Sequence, residues 1–244
     1  MIAIFGALEL ELIEIKKRMA IDREFSFGDC ILCEGSFGNK EGVLVQTGMG
    51  KDKAVKAAEF ALSNYRVSLV ISTGVSGALN DNTQAGDFVL CTTLTCGDEP
   101  GTVKSEPRLL FLAENTLYKS GGHKFIGTGI TVSHVCSTPT DKRKLGESSS
   151  ADIVDMESYW IAKAAAAKKI PFVIIRPVFD TVADDLSMIG RITTDGKVVP
   201  AKVAANLARN PVQTMRMVRF GSISRKIAKE LADFLYEYIE VVPF

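Results

Sequence analysis

The chain is poor in the residues that mark a metal or redox protein. It has two histidines, His123 and His134, and one tryptophan in 244 residues. Two histidines are too few for a histidine metal cage. Its five cysteines are an odd number, and the start, Met1–Leu8, has neither a basic region before its apolar residues nor a cleavage pattern after them. A secreted disulfide framework is therefore not expected. Cys30-Ile31-Leu32-Cys33 has CxxC spacing, yet in a strand-like run an odd separation points the two thiols to opposite faces. No apolar run approaches the ~20 residues of a membrane span. Acidic and basic residues balance at 29 each, so no net charge favours nucleic acid. Neither a linker-like segment nor an internal repeat divides the chain. What is left is one cytoplasmic α/β domain over 1–244, with no metal or cofactor and a basic helical extension at about 191–244.

What is present alternates between strand and helix. Met1–Phe5 is a short apolar strand, Gly6-Ala7 a tight turn, and Leu8–Glu14 the start of a helix on which Leu8, Leu12 and Ile15 share a face. Glu11 lies closer to that face than Glu9 or Glu14. From Phe25 to Gln46 two or three antiparallel strands are expected, with turns at Gly28-Asp29 and Gly38-Asn39. Thr47-Gly48-Met49-Gly50-Lys51 then leads into a helix over 52–65. The amides at Gly48 and Gly50 suit an anion or a ligand hydroxyl, and a plain strand-to-helix turn explains them equally well. Leu69–Ser72 is a buried strand followed by the small-residue loop Thr73-Gly74-Val75-Ser76-Gly77-Ala78. A strand at 87–95, a helix at 106–120 and a strand at 125–133 follow, ending at Ser133-His134-Val135-Cys136. No nucleophile surrounds His134, which reads as a hydrogen-bonded loop residue.

The segment from Asp152 to Asp185 carries the acids. Ile153–Glu157 is a short strand, Ser158 opens an alanine-rich helix that Pro171 closes, and Phe172–Ile175 is a continuous apolar strand running through Arg176 to Asp180. Glu157 and Asp180 thus fall at the carboxyl ends of strands, where ligands of open α/β sheets bind. The expected architecture is a three-layer αβα sandwich around a central mixed, mostly parallel sheet. Beyond it, nine basic residues between Arg191 and Lys229 face a single acid, Asp195. That tail reads either as a basic amphipathic surface for anionic lipid or substrate, or as helices packed on the core or on a second subunit.

Gly6-Ala7-Leu8-Glu9-Leu10-Glu11, Thr47-Gly48-Met49-Gly50-Lys51, Thr73-Gly74-Val75-Ser76-Gly77, Asp155-Met156-Glu157 and Arg176-Pro177-Val178-Phe179-Asp180 occur in that order at loops of this kind. Together they resemble the nucleoside phosphorylase and nucleosidase superfamily over about residues 1–186. In layout the chain is most similar to the 5′-methylthioadenosine/S-adenosylhomocysteine nucleosidases. Asp155-Met156-Glu157-Ser158, the alanine-rich helix and the basic tail resemble the hopanoid-associated branch, held to act on adenosylhopane. The resemblance implies cleavage of the N-glycosidic bond of a purine nucleoside, adenine above all, in a homodimer or larger assembly.

In that reading Asp180 protonates N7 of the leaving purine, Glu157 grips the ribose hydroxyls with Met156 against the sugar, and Glu11 orients and deprotonates the attacking water. Gly74, Val75 and the Ser133-His134-Val135 loop would line the substrate. Phosphorolytic relatives carry an arginine at the position of Ser72, near the Gly48 and Gly50 turn, and a serine cannot clamp phosphate bidentately. Hydrolysis is favoured, with phosphate as co-substrate the alternative. Val75 departs from a serine found in the methylthioadenosine enzymes, and Ser133-His134-Val135 from their Ser-Gly-Asp loop. A reading of another class is a catalytically silent nucleoside-binding or lipid-surface protein whose working part is the tail.

Overall fold

Side-chain alternation along the first strand sets the layers. In a computed structural model, which describes residues 1–120, 124–187, 193–194, 197–198 and 211–243, β1 spans Ile2–Gly6. Ile2 and Ile4 enter one apolar cluster and Ala3 and Phe5 another. A strand whose two faces are both covered is what a sheet between two helix layers requires.

Helix α1 (Glu9–Lys16) follows β1, and the antiparallel meander is β2 (Ala20–Phe27), β3 (Cys30–Phe37) and β4 (Lys40–Gln46). Cys30 and Cys33 fall in opposite clusters, as their odd spacing requires. Next come α2 (Lys51–Asn64), β5 (Leu69–Ser72), β6 (Ser76–Ala78), β7 (Phe88–Cys96), β8 (Thr102–Lys104), α3 (Pro107–Ser120) and β9 (Lys124–Thr131). The chain continues through α4 (Pro139–Ser149), β10 (Ile153–Asp155), α5 (Ser158–Ala167) and β11 (Phe172–Asp180). A two-residue hairpin, β12 (Thr193–Thr194) with β13 (Lys197–Val198), and α6 (Pro211–Val241) complete it.

Helices α2 and α5 cover one face, supplying Ala54, Ala58, Trp160, Ile161 and Ala165 to its cluster. Helices α1, α3 and α6 cover the other, with Leu12, Ile15, Leu109, Leu235 and Ile239. The sheet is mixed, in the order β2-β3-β4-β1-β5-β11-β6-β10-β9-β7-β8. Strands β4, β1, β5 and β11 are mutually parallel, as are β10, β9 and β7. The two sets meet where Ile174–Pro177 of β11 run antiparallel to Phe88–Cys91 of β7.

That extra pairing closes β11, β6, β10, β9 and β7 into a ring, a feature the alternating pattern of the sequence does not disclose. It brings β10 and its helix against the middle of β11. Two short elements also differ from expectation: Ser76–Ala78 is a strand rather than loop, and α4 occupies a stretch with no apolar stripe to announce it. Thr138 caps α4 through its side chain, Pro139 stands in the first turn and left-handed Ser150 ends it. Those are start and stop signals that work without an amphipathic pattern. No helix among the described residues is long and apolar enough to cross a membrane.

Candidate active site

Glu11 is built in by the turn before it. It is buried, its Oε2 accepts hydrogen bonds from the backbone N–H of Ala7 at 2.9 Å and Leu8 at 2.8 Å, and its Oε1 accepts one from Val75 N–H at 2.9 Å. The carboxylate thus ties the turn after β1 to the loop after β5. Burial pushes its pKa up, while the nearby Arg176 guanidinium and the three amides act the other way. Glu9 stays exposed.

Arg176 stands in the middle of this region although it interrupts an apolar strand. It is 1% exposed. Its Nε lies 3.0 Å from Asp155 Oδ2 and donates to Ser158 Oγ at 2.8 Å, and its Nη2 donates to Ser158 Oγ and to Ser72 Oγ. Among the described residues Nη1 has no hydrogen-bond acceptor. A Cβ added to Gly74 would sit 2.7 Å from that Nη1 and 2.9 Å from Glu11 Oε1. Gly74 has φ +120° and cannot be replaced without strain. The glycine is there because a guanidinium and a carboxylate converge on it. Asp155, which accepts from Thr131 Oγ1 with its other oxygen, is the partner that makes a buried arginine tolerable.

Glu157 precedes α5 and is 6% exposed. Its Oε1 accepts from Gly50 N–H at 2.7 Å, and Gly50 itself has φ +93°. Burial, with Asp155 and Glu11 nearby, pushes its pKa up to about 8, against the pull of Arg176 and the Gly50 amide. A carboxyl group with its pKa raised in this way can donate a hydrogen bond as well as accept one. Gly48, with φ +78°, donates its N–H to Ala7 O at 3.0 Å and holds the same turn.

Asp180 closes β11 and is 3% exposed. Its Oδ2 accepts from the ammonium of Lys142, a fully buried residue of α4. Its pKa is pushed up to about 6 by burial, which outweighs the lysine. A Cβ on Gly77 would lie 3.2 Å from Asp180 Oδ2. Glu11 and Arg176 therefore meet the loop at Gly74 and Asp180 meets it at Gly77. Three residues of extended chain span about 10 Å.

Ser133, His134 and Val135 follow β9 but are exposed, and Ser133 Oγ meets only His134 Nδ1, at 3.4 Å. Met156 is half-buried beside Glu157 and Val75 half-buried beside Glu11. Ser72 is buried, with its hydroxyl 3.0 Å from Ser158 Oγ. A groove of 460 Å³ between α1 and the meander, lined by Leu12, Ile13, Ile21, Ile31 and Leu44, includes none of the three acids. No group of three metal-ligating side chains occurs among the described residues. His123, Arg191, Asp195, Lys202 and Arg209 lie outside those residues. Two functional candidates were given no role by the sequence: Arg176, which entered only within the Arg176–Asp180 landmark at the exit of an apolar run, and Lys142, one lysine among several in a polar segment.

Three atoms of this cluster remain without a hydrogen bond among the described residues: Glu157 Oε2, Arg176 Nη1 and Asp180 Oδ1. Unmet polar groups beside buried charges are what a polar ligand would complete.

Known proteins share this arrangement of chain. A 5′-methylthioadenosine/S-adenosylhomocysteine nucleosidase from Staphylococcus haemolyticus is 28% identical over 199 residues, 74% of this chain and 86% of the relative. Its counterpart from Actinobacillus succinogenes is 27% identical over 205 residues, 73% of this chain and 85% of the relative. Among solved structures, the nucleosidase of Neisseria meningitidis in complex with methylthio-immucillin-A superposes with a TM-score of 0.80 at 20% identity, covering 99% of each chain. Futalosine hydrolase of Helicobacter pylori gives 0.79 at 17% identity, covering 99% of this chain and 97% of that one. At such identities the superpositions speak for the fold. The family is carried by the sequence itself: residues 1–209 match the phosphorylase superfamily, and the chain belongs to it.

Proposed function

We propose that this protein hydrolyses the N-glycosidic bond of an adenine nucleoside. The observation that carries the reading is the short loop Gly74–Gly77, with Glu11 and Arg176 at one end and Asp180 at the other. Breaking a ribose–purine bond needs an acid at the base and a polarised nucleophile on the far side of the sugar. Asp180, holding its proton up to about pH 6, gives it to purine N7 as the C–N electron pair passes to the base. Water sits between the free Nη1 of Arg176 and Glu11 Oε1, adds to the anomeric carbon and yields its proton to Glu11. Glu157 engages the ribose hydroxyls through its free Oε2, with Met156 beside it. The relatives' names, nucleosidase and hydrolase, support water over phosphate. So does Arg176, whose Nε and Nη2 are committed to Asp155, Ser158 and Ser72, leaving the donors of the single nitrogen Nη1 instead of the two-nitrogen fork that grips phosphate.

The finer readings belong to the same proposal. A 5′-modified adenosine, methylthioadenosine or adenosylhopane, is the substrate class, and the active form is a homodimer in the cytoplasm. The protein is incubated with methylthioadenosine, adenosylhopane, adenosine and inosine, with and without inorganic phosphate, and free base is followed. Adenine release that does not depend on phosphate is expected. Release only with phosphate supports a phosphorylase, and no release from any nucleoside supports a silent binding protein. Sedimentation of the purified chain tests the dimer.

A further inference from the structure

We propose that Lys142 is a positioning residue for Asp180: its ammonium ties down one carboxylate oxygen so that the other alone is presented to the leaving base. The inference rests on the glycosidic-cleavage reading above and extends it to a residue outside the loops that carry it. Lys142 comes from α4, 38 positions before Asp180. Its side chain is fully enclosed, at 0% exposure. An ammonium in such a place is tolerated only when all three of its protons are met. They are: Lys142 Nζ donates to Asp180 Oδ2, to Thr181 O at 2.9 Å and to Asp184 O at 2.7 Å. No proton of the lysine is left for a ligand, so it acts through Asp180.

The geometry at the carboxyl group is one-sided. Oδ2 is held by Lys142, and among the described residues Oδ1 has no hydrogen-bond partner. An aspartic acid free to turn about its last bond would offer its proton in two directions, and the lysine removes one of them. The same three bonds fix Thr181 and Asp184, so β11 leaves the sheet along one path. Stability alone is a weak reason for such a pair, because replacing both members of a buried ion pair by apolar side chains is often neutral or stabilising.

The charge matters as well as the place. Once Asp180 has given up its proton, a buried carboxylate remains, and a fixed cation in contact lowers the cost of that anion. Burial raises the pKa of Asp180 and Lys142 holds it back, the balance lying at about 6. Two other titratable groups face the acid. Asp184, from the segment after β11, adds to the rise. The thiol of Cys136, from the loop before α4, is itself kept protonated by burial and by Asp141. The only cation among these groups is Lys142.

The test compares the wild type with Lys142→Met and Lys142→Arg through the pH dependence of kcat/KM for adenine release. In the wild type the rate falls as pH rises through about 6, where Asp180 loses its proton. In Lys142→Met this limb moves up by about one pH unit or more, and the rate below it drops about 10-fold or more, since the acid is weaker and free to turn. Lys142→Arg, which keeps the charge, leaves the limb in place. A Lys142→Met profile lowered equally at every pH, with the limb unmoved, overturns the proposal in favour of a packing role, and an unchanged profile overturns it outright. Should Lys142→Met fail to fold, a limb in Lys142→Arg displaced from that of the wild type overturns it. If the wild type releases no base from any nucleoside, the cleavage reading has failed by itself. Carbon-13 NMR titration of the Asp180 carboxyl, assigned by its loss in Asp180→Asn, then decides for Lys142: an upward shift in Lys142→Met supports the pairing, and none refutes it.

Discussion

Buried carboxyl groups that keep their protons have a cost that can be measured. Glu157 ionises near 4.5 in an unfolded chain and near 8 in the folded one. Between those values the folded state holds a proton that the unfolded state has released, so this residue's contribution to stability falls as pH rises, by on the order of 1 kcal/mol per pH unit. Glu157→Gln keeps an oxygen for the Gly50 amide and removes the titration. The melting temperature of the variant, compared with wild type at each pH, is expected to be level near pH 4 and progressively higher toward pH 8, while activity falls. A wild type that gains on the variant with rising pH would contradict the burial argument. Asp180→Asn is expected to cut turnover by about 10² to 10⁴-fold with only a modest change in the thermal melt, because the amide oxygen still accepts from Lys142. Glu11, Glu157 and Asp180 could be picked as candidates from the sequence because a carboxylate at a strand end, or on the edge of an apolar stripe, stands out against its neighbours. Arg176 entered only as the head of the Arg176–Asp180 landmark, without a role, since one basic residue leaving an apolar run has the look of a strand reaching solvent. Lys142 could not be picked, since only folding places it against an acid 38 residues away.

At the level of elements, the loop between β5 and β6 carries the strictest demand. Gly74 has φ +120°, and an added methyl group would lie 2.7 Å from Arg176 Nη1 and 2.9 Å from the Glu11 carboxyl. Gly74→Ala therefore strains the backbone and pushes apart the two groups proposed to hold water. Folding is expected to weaken by about 1–3 kcal/mol, read in urea, and adenine release to fall about 100-fold or more in protein that is still folded. Full activity in that variant would show that Glu11 and Arg176 need not meet there. The alternation of strands and helices was readable from apolar periodicity, and most boundaries fell within a residue or two. Helix α4 escaped because its buried position is Lys142, a residue that no hydrophobic pattern would select. The Ser133-His134-Val135 loop follows β9, and all three of its side chains are exposed.

The molecule as a whole sets Arg176 on the α2 and α5 side of the sheet and its C-terminal helix on the other, which it shares with α1, the helix that carries Glu11. Phe172, Ile174 and Val178 of β11 pack toward α2 and α5, the side from which Ser158 of α5 reaches Arg176. Val173 and Ile175 pack the opposite way, with Leu231, Phe234, Leu235, Tyr238 and Ile239 of α6. Tyr238 anchors that helix by donating its hydroxyl to Leu109 O at 3.0 Å. Composition allowed the tail to be a lipid-seeking surface or a packed helix, and over 220–242 most of its apolar residues are buried in the core, with Tyr236 and Val241 exposed. If its work is structural, Leu235→Ala should cost about 2–5 kcal/mol of stability. At roughly 2–4 °C per kcal/mol for a domain of this size, the melting temperature falls by about 5–15 °C. The same variant at 25 °C should keep kcat/KM within about 3-fold of wild type, because Glu11 is held by the amides of Ala7, Leu8 and Val75, Arg176 by Asp155, Ser158 and Ser72, and Asp180 by Lys142, none of them in α6. Activity lost with an unchanged melt would instead tie α6 to the chemistry. Stability and activity measured on one variant thus separate the helix that holds the sheet from the loops proposed to use it.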